Sequence, residues 1–111
     1  MKYSDKQRVR KIYEYAEKLI NHITTNGISK DSLIEDYALQ WLVTTPLYNI
    51  GEQVYALSDE YKSEYSEIPW SMISGLRHRL VHNYDGTNWN IIADVVFEEL
   101  PILIQQLEKL I

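Results

Sequence analysis

"IPWSMISGLRHRLVHNY", residues 68–84, is the stretch of this sequence that indicates its fold most directly. Pro69 suits the first turn of a helix, and the spacing of apolar residues predicts a helix from about Trp70 to His82. At about 100° per residue, one face of this helix is apolar and suits a protein core. That face comprises Met72, Ile73, Leu76 and Leu80. Such a helix must bury its apolar face against other elements, so the neighbouring segments decide the architecture.

Apolar residues recur at intervals of three and four on both sides of this stretch, which predicts further helices. Ser4 and Gln7 form a predicted capping box at the start of a first helix, and Gly27 is the expected left-handed residue at its end. Ser32 and Glu35 form a second predicted capping box. The sequence contains no alternating pattern of the kind that predicts a strand.

Prolines and polar segments divide the rest of the chain. Pro46 is expected to kink the second helix rather than to divide it, and residues 58–69 are expected to be a polar loop. Asn88 is a predicted cap for a last helix, which Pro101 breaks or kinks. The chain is therefore predicted to be all-α: a single domain over residues 1–111, folded as an up-and-down bundle of four to five helices.

The composition is that of an ordinary globular protein, since 45% of the 111 residues are hydrophobic and 24% are charged. The absence of cysteine excludes disulfides and thiolate zinc sites. No apolar run approaches the roughly 18 residues that a membrane span requires, and the N-terminus lacks the apolar region of a signal peptide, so we expect a cytoplasmic protein. A net charge of -5 disfavours indiscriminate coating of nucleic acid but allows a small local site.

The end of the predicted helix gathers side chains that suit RNA chemistry. Arg77 presents a planar fork of donors that matches a phosphate, and His82 titrates near neutral pH and can move a proton. Tyr84 offers a hydroxyl or a ring on which a base can stack. This set suits RNA cleavage through the 2′-hydroxyl, with His82 as general acid or base and Arg77 stabilising the phosphorane. A solvated helix face carries the same residue types, and it remains the alternative.

Arg77 and His82 lie about 140° apart on a straight helix, so one helix does not easily direct both at one small group. Gly75, His78 and His82 form a second face, turned away from the apolar one. Glycine in a helix interior costs up to about 1 kcal/mol, and close approach of another helix is a reason to accept that cost. Two copies of the helix across a twofold axis would line one cleft with two arginines and two histidines. The nine tyrosines and three tryptophans, expected in the core and in interfaces, also favour self-association.

A metal site is a third possibility, because His78 and His82 are four residues apart and Asp85 is near. The two histidines are not part of a His-Glu-x-x-His motif, and Arg77 and Arg79 disfavour a cation. We therefore expect neither a metal nor another cofactor.

The spacing of Arg77, His82 and Tyr84 resembles the R-x(4–6)-H-x-Y pattern of the HEPN superfamily, in its HepT-like branch. Three segments resemble that family in the same order: "YNIGEQVYALSDEY" (48–61) its Ile-Gly-Glu segment, "IPWSMISGLRHRLVHNY" its Ile-Pro-Trp, Gly-x-Arg and His-x-Tyr block, and "ELPILIQQLEKLI" (99–111) its Leu-Pro ending. The resemblance covers about residues 30–111.

The resemblance implies a HEPN-like helical homodimer with the motif helices at the interface, and a metal-independent endoribonuclease that arrests growth. Arg77 and His82 would then be catalytic. HepT-like proteins are toxins paired with minimal nucleotidyltransferase (MNT) antitoxins in type VII-like systems. Tyr84 would match the tyrosine that some of these partners modify with AMP, or would contact the substrate.

Two positions depart from the family's pattern. His78 stands where asparagine is common, and it either supplements or disturbs the site. Asn83 stands where glycine is common, and asparagine tolerates a left-handed conformation better than most residues. Glu52 either orients Arg77 by an ion pair or is solvated. The alternative function is a non-catalytic HEPN module that binds a nucleotide or a nucleotidyltransferase partner.

Overall fold

The computed structural model describes the backbone of residues 3–82 and 86–111, and their side chains except those of residues 81 and 82. Helix α1 spans Asp5–Thr25. The predicted capping box is confirmed, because Ser4 Oγ accepts a hydrogen bond from the Gln7 N–H and the Gln7 side chain accepts one from the Ser4 N–H. Gly27 has a φ of 60°, which confirms the predicted left-handed residue after this helix.

Two helices, α2 over Lys30–Glu35 and α3 over Tyr37–Ala56, occupy the segment predicted to be one helix. The second capping box is wrong, because Ser32 lies inside α2 and its N–H donates to the side chain of Ser29, which caps the helix. Asp36 is extended, so it ends α2, and its carboxylate then caps α3 by accepting from the Ala38 N–H. Helix α3 continues through Pro46, as expected.

The expected polar loop over residues 58–69 contains a short helix, α4, over Asp59–Glu64, so that expectation is wrong. The Ser58 hydroxyl oxygen caps α4 by accepting from the Tyr61 N–H. The N–H and the hydroxyl of Ser58 also donate to the Asp5 carboxylate, at 2.9 and 2.6 Å. The cap and this anchor to α1 hold α4 in place, although none of the α4 residues is fully buried.

Helix α5 spans Trp70–His82, which confirms the prediction for the opening stretch. The last arm of the chain comprises α6 over Trp89–Asp94, a π-helical turn over Val95–Glu99 and α7 over Leu100–Glu108. Asn88 caps α6, as predicted. In the π turn, the Leu100 N–H donates to the carbonyl of Val95, five residues earlier. Pro101 has no N–H to continue the α-helical pattern, so it distorts this arm rather than ending it.

Helix α3 is central: it packs most extensively against α5, then against α1, while α1 also contacts α7 and α2 contacts α3 and α6. The core between these helices is aliphatic, and its fully buried side chains include Val9, Ile12, Leu47, Ile50, Leu76, Leu80 and Leu107. Met72 is 38% exposed, so its predicted place on the core face of α5 is wrong.

The described part of the chain is helical throughout its regular structure, which confirms the all-α bundle. None of its helices is long and apolar enough to cross a membrane.

Candidate active site

A close contact between α3 and α5 positions Arg77. A Cβ atom on Gly51 would lie 2.9 Å from the backbone nitrogen of Arg77 and 3.2 Å from its Cβ atom. The same Cβ would lie 3.2 Å from the carbonyl oxygen of Ile73, one turn earlier on α5. At this separation of the helices only glycine fits, so the Ile-Gly-Glu segment brings the base of the Arg77 side chain against α3.

The guanidinium group of Arg77 lies between two side chains of α3. Nη1 is 3.7 Å from Oε1 of Glu52, and Cζ is 3.7 Å from the centroid of the Tyr55 ring. Nε is buried, and no hydrogen-bond partner for it exists among the described residues. The Arg77 side chain as a whole is 29% exposed. The guanidinium is therefore held against α3 while part of the side chain stays within reach of solvent.

The face of α5 that is turned away from α3 carries Gly75, His78 and Arg79. A Cβ atom on Gly75 would have no described atom within 4 Å. His78 and Arg79 are exposed. This face of the single chain has room for another helix, which is the arrangement that the glycine predicts.

The remaining predicted site residues are only partly covered by the structure. His82 is the last residue of α5, but its side chain lies outside the described residues, as do Asn83, Tyr84 and Asp85 in full. The pairing of Arg77 with His82, and the roles of Asn83 and Tyr84, therefore stay predictions. In the ranges that the structure covers, no three His, Cys, Asp or Glu side chains are arranged to hold a metal ion.

Large aromatic side chains lie exposed along α3. Tyr37 is 65% exposed, Trp41 58% and Tyr55 59%. The rings of Tyr37 and Trp41 meet edge to face with centroids 4.8 Å apart. The core face of α3 is aliphatic instead, formed by Val43, Leu47, Ile50 and Val54. In the single chain these aromatics do not fill the core, and exposed rings of this size are typical of interaction surfaces.

Gly51 and Tyr55 are the two residues of this site to which sequence reasoning gave no role. In the sequence both residues stand out only as members of the segment 48–61, which resembles the Ile-Gly-Glu segment of the family. A signal for Tyr55 existed, because it follows Glu52 by three residues and therefore lies on the same side of α3. If Glu52 faces Arg77, the Tyr55 ring must lie close to the same guanidinium.

A helical bundle with an arginine near the end of one helix, five residues before a histidine, is the arrangement expected of the HEPN superfamily that the sequence resembles. The sequence model of the ribonuclease HepT-like family matches residues 7–110. The chain therefore belongs to the HepT-like ribonuclease family, which confirms the resemblance and, at the level of the family, the prediction of a ribonuclease.

Two relatives of known name support this assignment. "Probable ribonuclease HepT" of Thermococcus cleftensis is 33% identical over 110 residues, which cover 99% of this chain and 98% of the relative. "Putative RNase TTE0752" of Caldanaerobacter subterraneus subsp. tengcongensis is 33% identical over 100 residues, which cover 90% of this chain and 88% of the relative. No solved structure matches the chain.

Proposed function

We propose that this chain is a metal-independent endoribonuclease that cleaves RNA in a cleft between two copies of α5. The observation that carries the proposal is the guanidinium group of Arg77, held between Tyr55 and Glu52 and partly open to solvent, in a member of a ribonuclease family. A planar cation that is held in place and that solvent can reach suits the binding of a phosphodiester.

The reaction is a transesterification. The 2′-oxygen of one nucleotide attacks the adjacent phosphorus, and the bond from phosphorus to the 5′-oxygen breaks. His82 takes the proton of the 2′-hydroxyl as general base, and water gives a proton to the leaving 5′-oxygen. Arg77 stabilises the negative charge that develops on the phosphorane oxygens. The products are a 2′,3′-cyclic phosphate and a 5′-hydroxyl end.

Two copies of the chain are needed because Arg77 and His82 lie about 140° apart on a straight helix. Arg77 of one copy therefore works with His82 of the other in our proposal. The open space over Gly75 and the exposed rings of Tyr37 and Trp41 support self-association of the chain.

Three further residues take supporting roles. Glu52 attracts the Arg77 guanidinium from α3, at 3.7 Å. His78, exposed on the open face of α5, lines the cleft. Asn83 replaces the glycine that is common in the family, and asparagine tolerates a left-handed conformation better than most residues.

The biological role that fits this activity is that of a toxin in the cytoplasm, restrained by a minimal nucleotidyltransferase antitoxin. The partner would transfer AMP to the hydroxyl of Tyr84. The added phosphate would bring negative charge beside Arg77 and so occupy the place of the RNA phosphate. Membership of the family and the spacing of Tyr84 from Arg77 support this part of the proposal.

Cleavage of RNA by purified protein in the presence of a chelator tests the proposed reaction. We expect the wild type to leave 2′,3′-cyclic phosphate ends and to arrest growth when it is expressed, and His82→Ala to do neither at matched protein levels. His22→Ala is the matched control, because His22 is exposed on α1 and has no part in the proposed site. An active His82→Ala would refute the mechanism. A wild type that binds RNA or a nucleotide without cleaving it would instead indicate a binding module.

Mixing two inactive variants tests the shared cleft. Arg77→Ala and His82→Ala chains, combined in equal amounts, form mixed dimers in which one of the two sites keeps both residues. Recovered cleavage supports a site built from Arg77 of one copy and His82 of the other. If subunit exchange is demonstrated and the mixture stays inactive, each site draws both residues from one copy.

A further inference from the structure

The Tyr55 ring gives the Arg77 guanidinium its closest aromatic contact in the described part of the chain. Cζ of Arg77 lies 3.7 Å from the Tyr55 ring centroid. In the other described cation–ring contacts, the cation of Arg8 and that of Lys11 lie 5.7 and 4.6 Å from the Tyr3 ring. A separation of 3.7 Å is that of two planar groups in van der Waals contact, so the guanidinium lies on the face of the Tyr55 ring.

We propose that Tyr55 is a positioning residue for Arg77, one that fixes the plane of the guanidinium in the active site. The inference rests on the proposed function, since it concerns the same arginine. An arginine side chain has several freely rotating bonds, and ordering them costs free energy whenever the guanidinium is fixed in one place. A ring that holds the group before RNA arrives removes part of that cost from the binding of the transition state.

Glu52 cannot set this plane by itself. Its Oε1 is 3.7 Å from Nη1, which is longer than a hydrogen bond, and the Glu52 side chain is 40% exposed. A partly exposed ion pair of this length attracts a charge without fixing its orientation, and salt screens it. Contact with a ring face, by contrast, constrains the guanidinium to lie parallel to that ring. Of the two α3 neighbours, Tyr55 is therefore the one that determines orientation.

The burial of Nε determines which nitrogen atoms of Arg77 can donate hydrogen bonds to a bound phosphate. Nε has no access to solvent, so it cannot donate to a phosphate that arrives from outside. The Nη groups are the donors that remain for the phosphodiester. If the ring is lost, the guanidinium can turn about its last bonds, and this presentation of the Nη groups is lost with it.

The test compares Tyr55→Leu with Tyr55→Phe, which keeps the ring and removes only the hydroxyl. We expect kcat for RNA cleavage to fall about tenfold in Tyr55→Leu with KM changed less than about twofold, and both constants to stay near wild type in Tyr55→Phe. Tyr3→Leu is the matched control, because it removes another exposed tyrosine, whose ring contacts Arg8 and Lys11 and not Arg77. Unchanged melting temperature and sedimentation of the variants separate positioning from damage to the fold or the dimer.

A second measurement does not depend on activity. The NMR resonances of the Arg77 side chain should be shifted by the Tyr55 ring current in the wild type and in Tyr55→Phe, and should move toward those of free arginine in Tyr55→Leu. Full kcat in Tyr55→Leu overturns the proposal, and so does a loss confined to KM, which would mean that the ring contacts RNA. If the wild type cleaves no RNA, the proposed function fails, and the NMR comparison still decides whether Tyr55 fixes Arg77.

Discussion

Replacing Gly51 by alanine tests whether the distance between α3 and α5 depends on this glycine. The added Cβ would meet the Arg77 nitrogen at 2.9 Å, and the Arg77 Cβ and the Ile73 oxygen at 3.2 Å. Two of these three atoms are backbone, so relief requires a shift of α5 rather than the turn of a side chain. Overpacking of this kind costs about 1–3 kcal/mol.

Gly75→Ala on the neighbouring helix is the matched control. No described atom lies within 4 Å of a Cβ at Gly75, and neither glycine has a positive φ. Both substitutions gain up to about 1 kcal/mol from the higher helix propensity of alanine and from the smaller entropy of the unfolded chain. We therefore expect Gly75→Ala to stabilise the fold by up to about 1 kcal/mol, and Gly51→Ala to destabilise it by about 0–3 kcal/mol.

Urea unfolding gives these free energies, and it is best done at a dilution where sedimentation shows monomers, because the Gly75 face is the proposed interface. In thermal unfolding, a difference of 1 kcal/mol corresponds to about 4 °C for a domain of this size. The stabilisation from the higher helix propensity of alanine is the same in both variants. The difference of about 1–3 kcal/mol between their free energies of unfolding therefore measures only the contact of α3 with α5 at position 51. Equal stability of the two variants would refute the close approach of α3 and α5 at Arg77.

The other predictions concern an ion pair and a modification. Lys30 forms ion pairs with the carboxylates of Asp94 and Glu98, and its hydrogen bond lowers the pKa of Asp94 in the folded chain. The Lys30–Asp94 interaction therefore stabilises the fold at pH values above the pKa of an unfolded aspartate. This stabilisation is lost as the pH falls through the lower pKa of Asp94 in the folded chain. Lys30→Met should thus be less stable than wild type at about pH 7 and equally stable at about pH 2. Urea unfolding measures both stabilities, with Lys18→Met as the control. A lower stability of Lys30→Met that persists in acid would contradict this prediction. Co-expression with the nucleotidyltransferase partner should add one or more AMP groups to the wild type, seen by intact mass, and none to Tyr84→Phe; a wild type of unchanged mass would rule out the modification.

The features that the sequence predicted correctly are those with local causes. Ser4 and Gln7 cap α1 through bonds that span three residues, and Asn88 caps α6 in the same way. Helix α5 was predicted because a proline precedes it and its apolar residues keep a helical spacing. Such signals depend on neighbours in the chain, so a single sequence contains them in full.

The features that were missed depend on contacts between distant segments. The turn of α4 is mostly polar and has no fully buried residue, and its anchor is the Asp5 carboxylate on α1, 53 residues away from Ser58. Ser29 and Ser32 are both good caps, and the helix that begins after Ser29 contacts α6 and brings Lys30 to Asp94 and Glu98. Met72 sits at the edge of the apolar face of α5, where the packing of neighbouring helices decides burial.

The candidate site also has a part that depends on contacts with a distant segment and a part that does not. This difference determines which part of the site a departure from the family's motif can affect. The position of Arg77 is set from α3, because Gly51 fixes the distance between the helices and Glu52 and Tyr55 contact the guanidinium. None of these contacts involves His82, the last residue of α5, which Asn83 follows in the sequence. The asparagine in place of glycine at position 83 can therefore alter how His82 is presented without disturbing Arg77. In the proposed mechanism, a defect caused by Asn83 would therefore appear in proton transfer, and so in the pH dependence of kcat, rather than in the binding of the RNA phosphate.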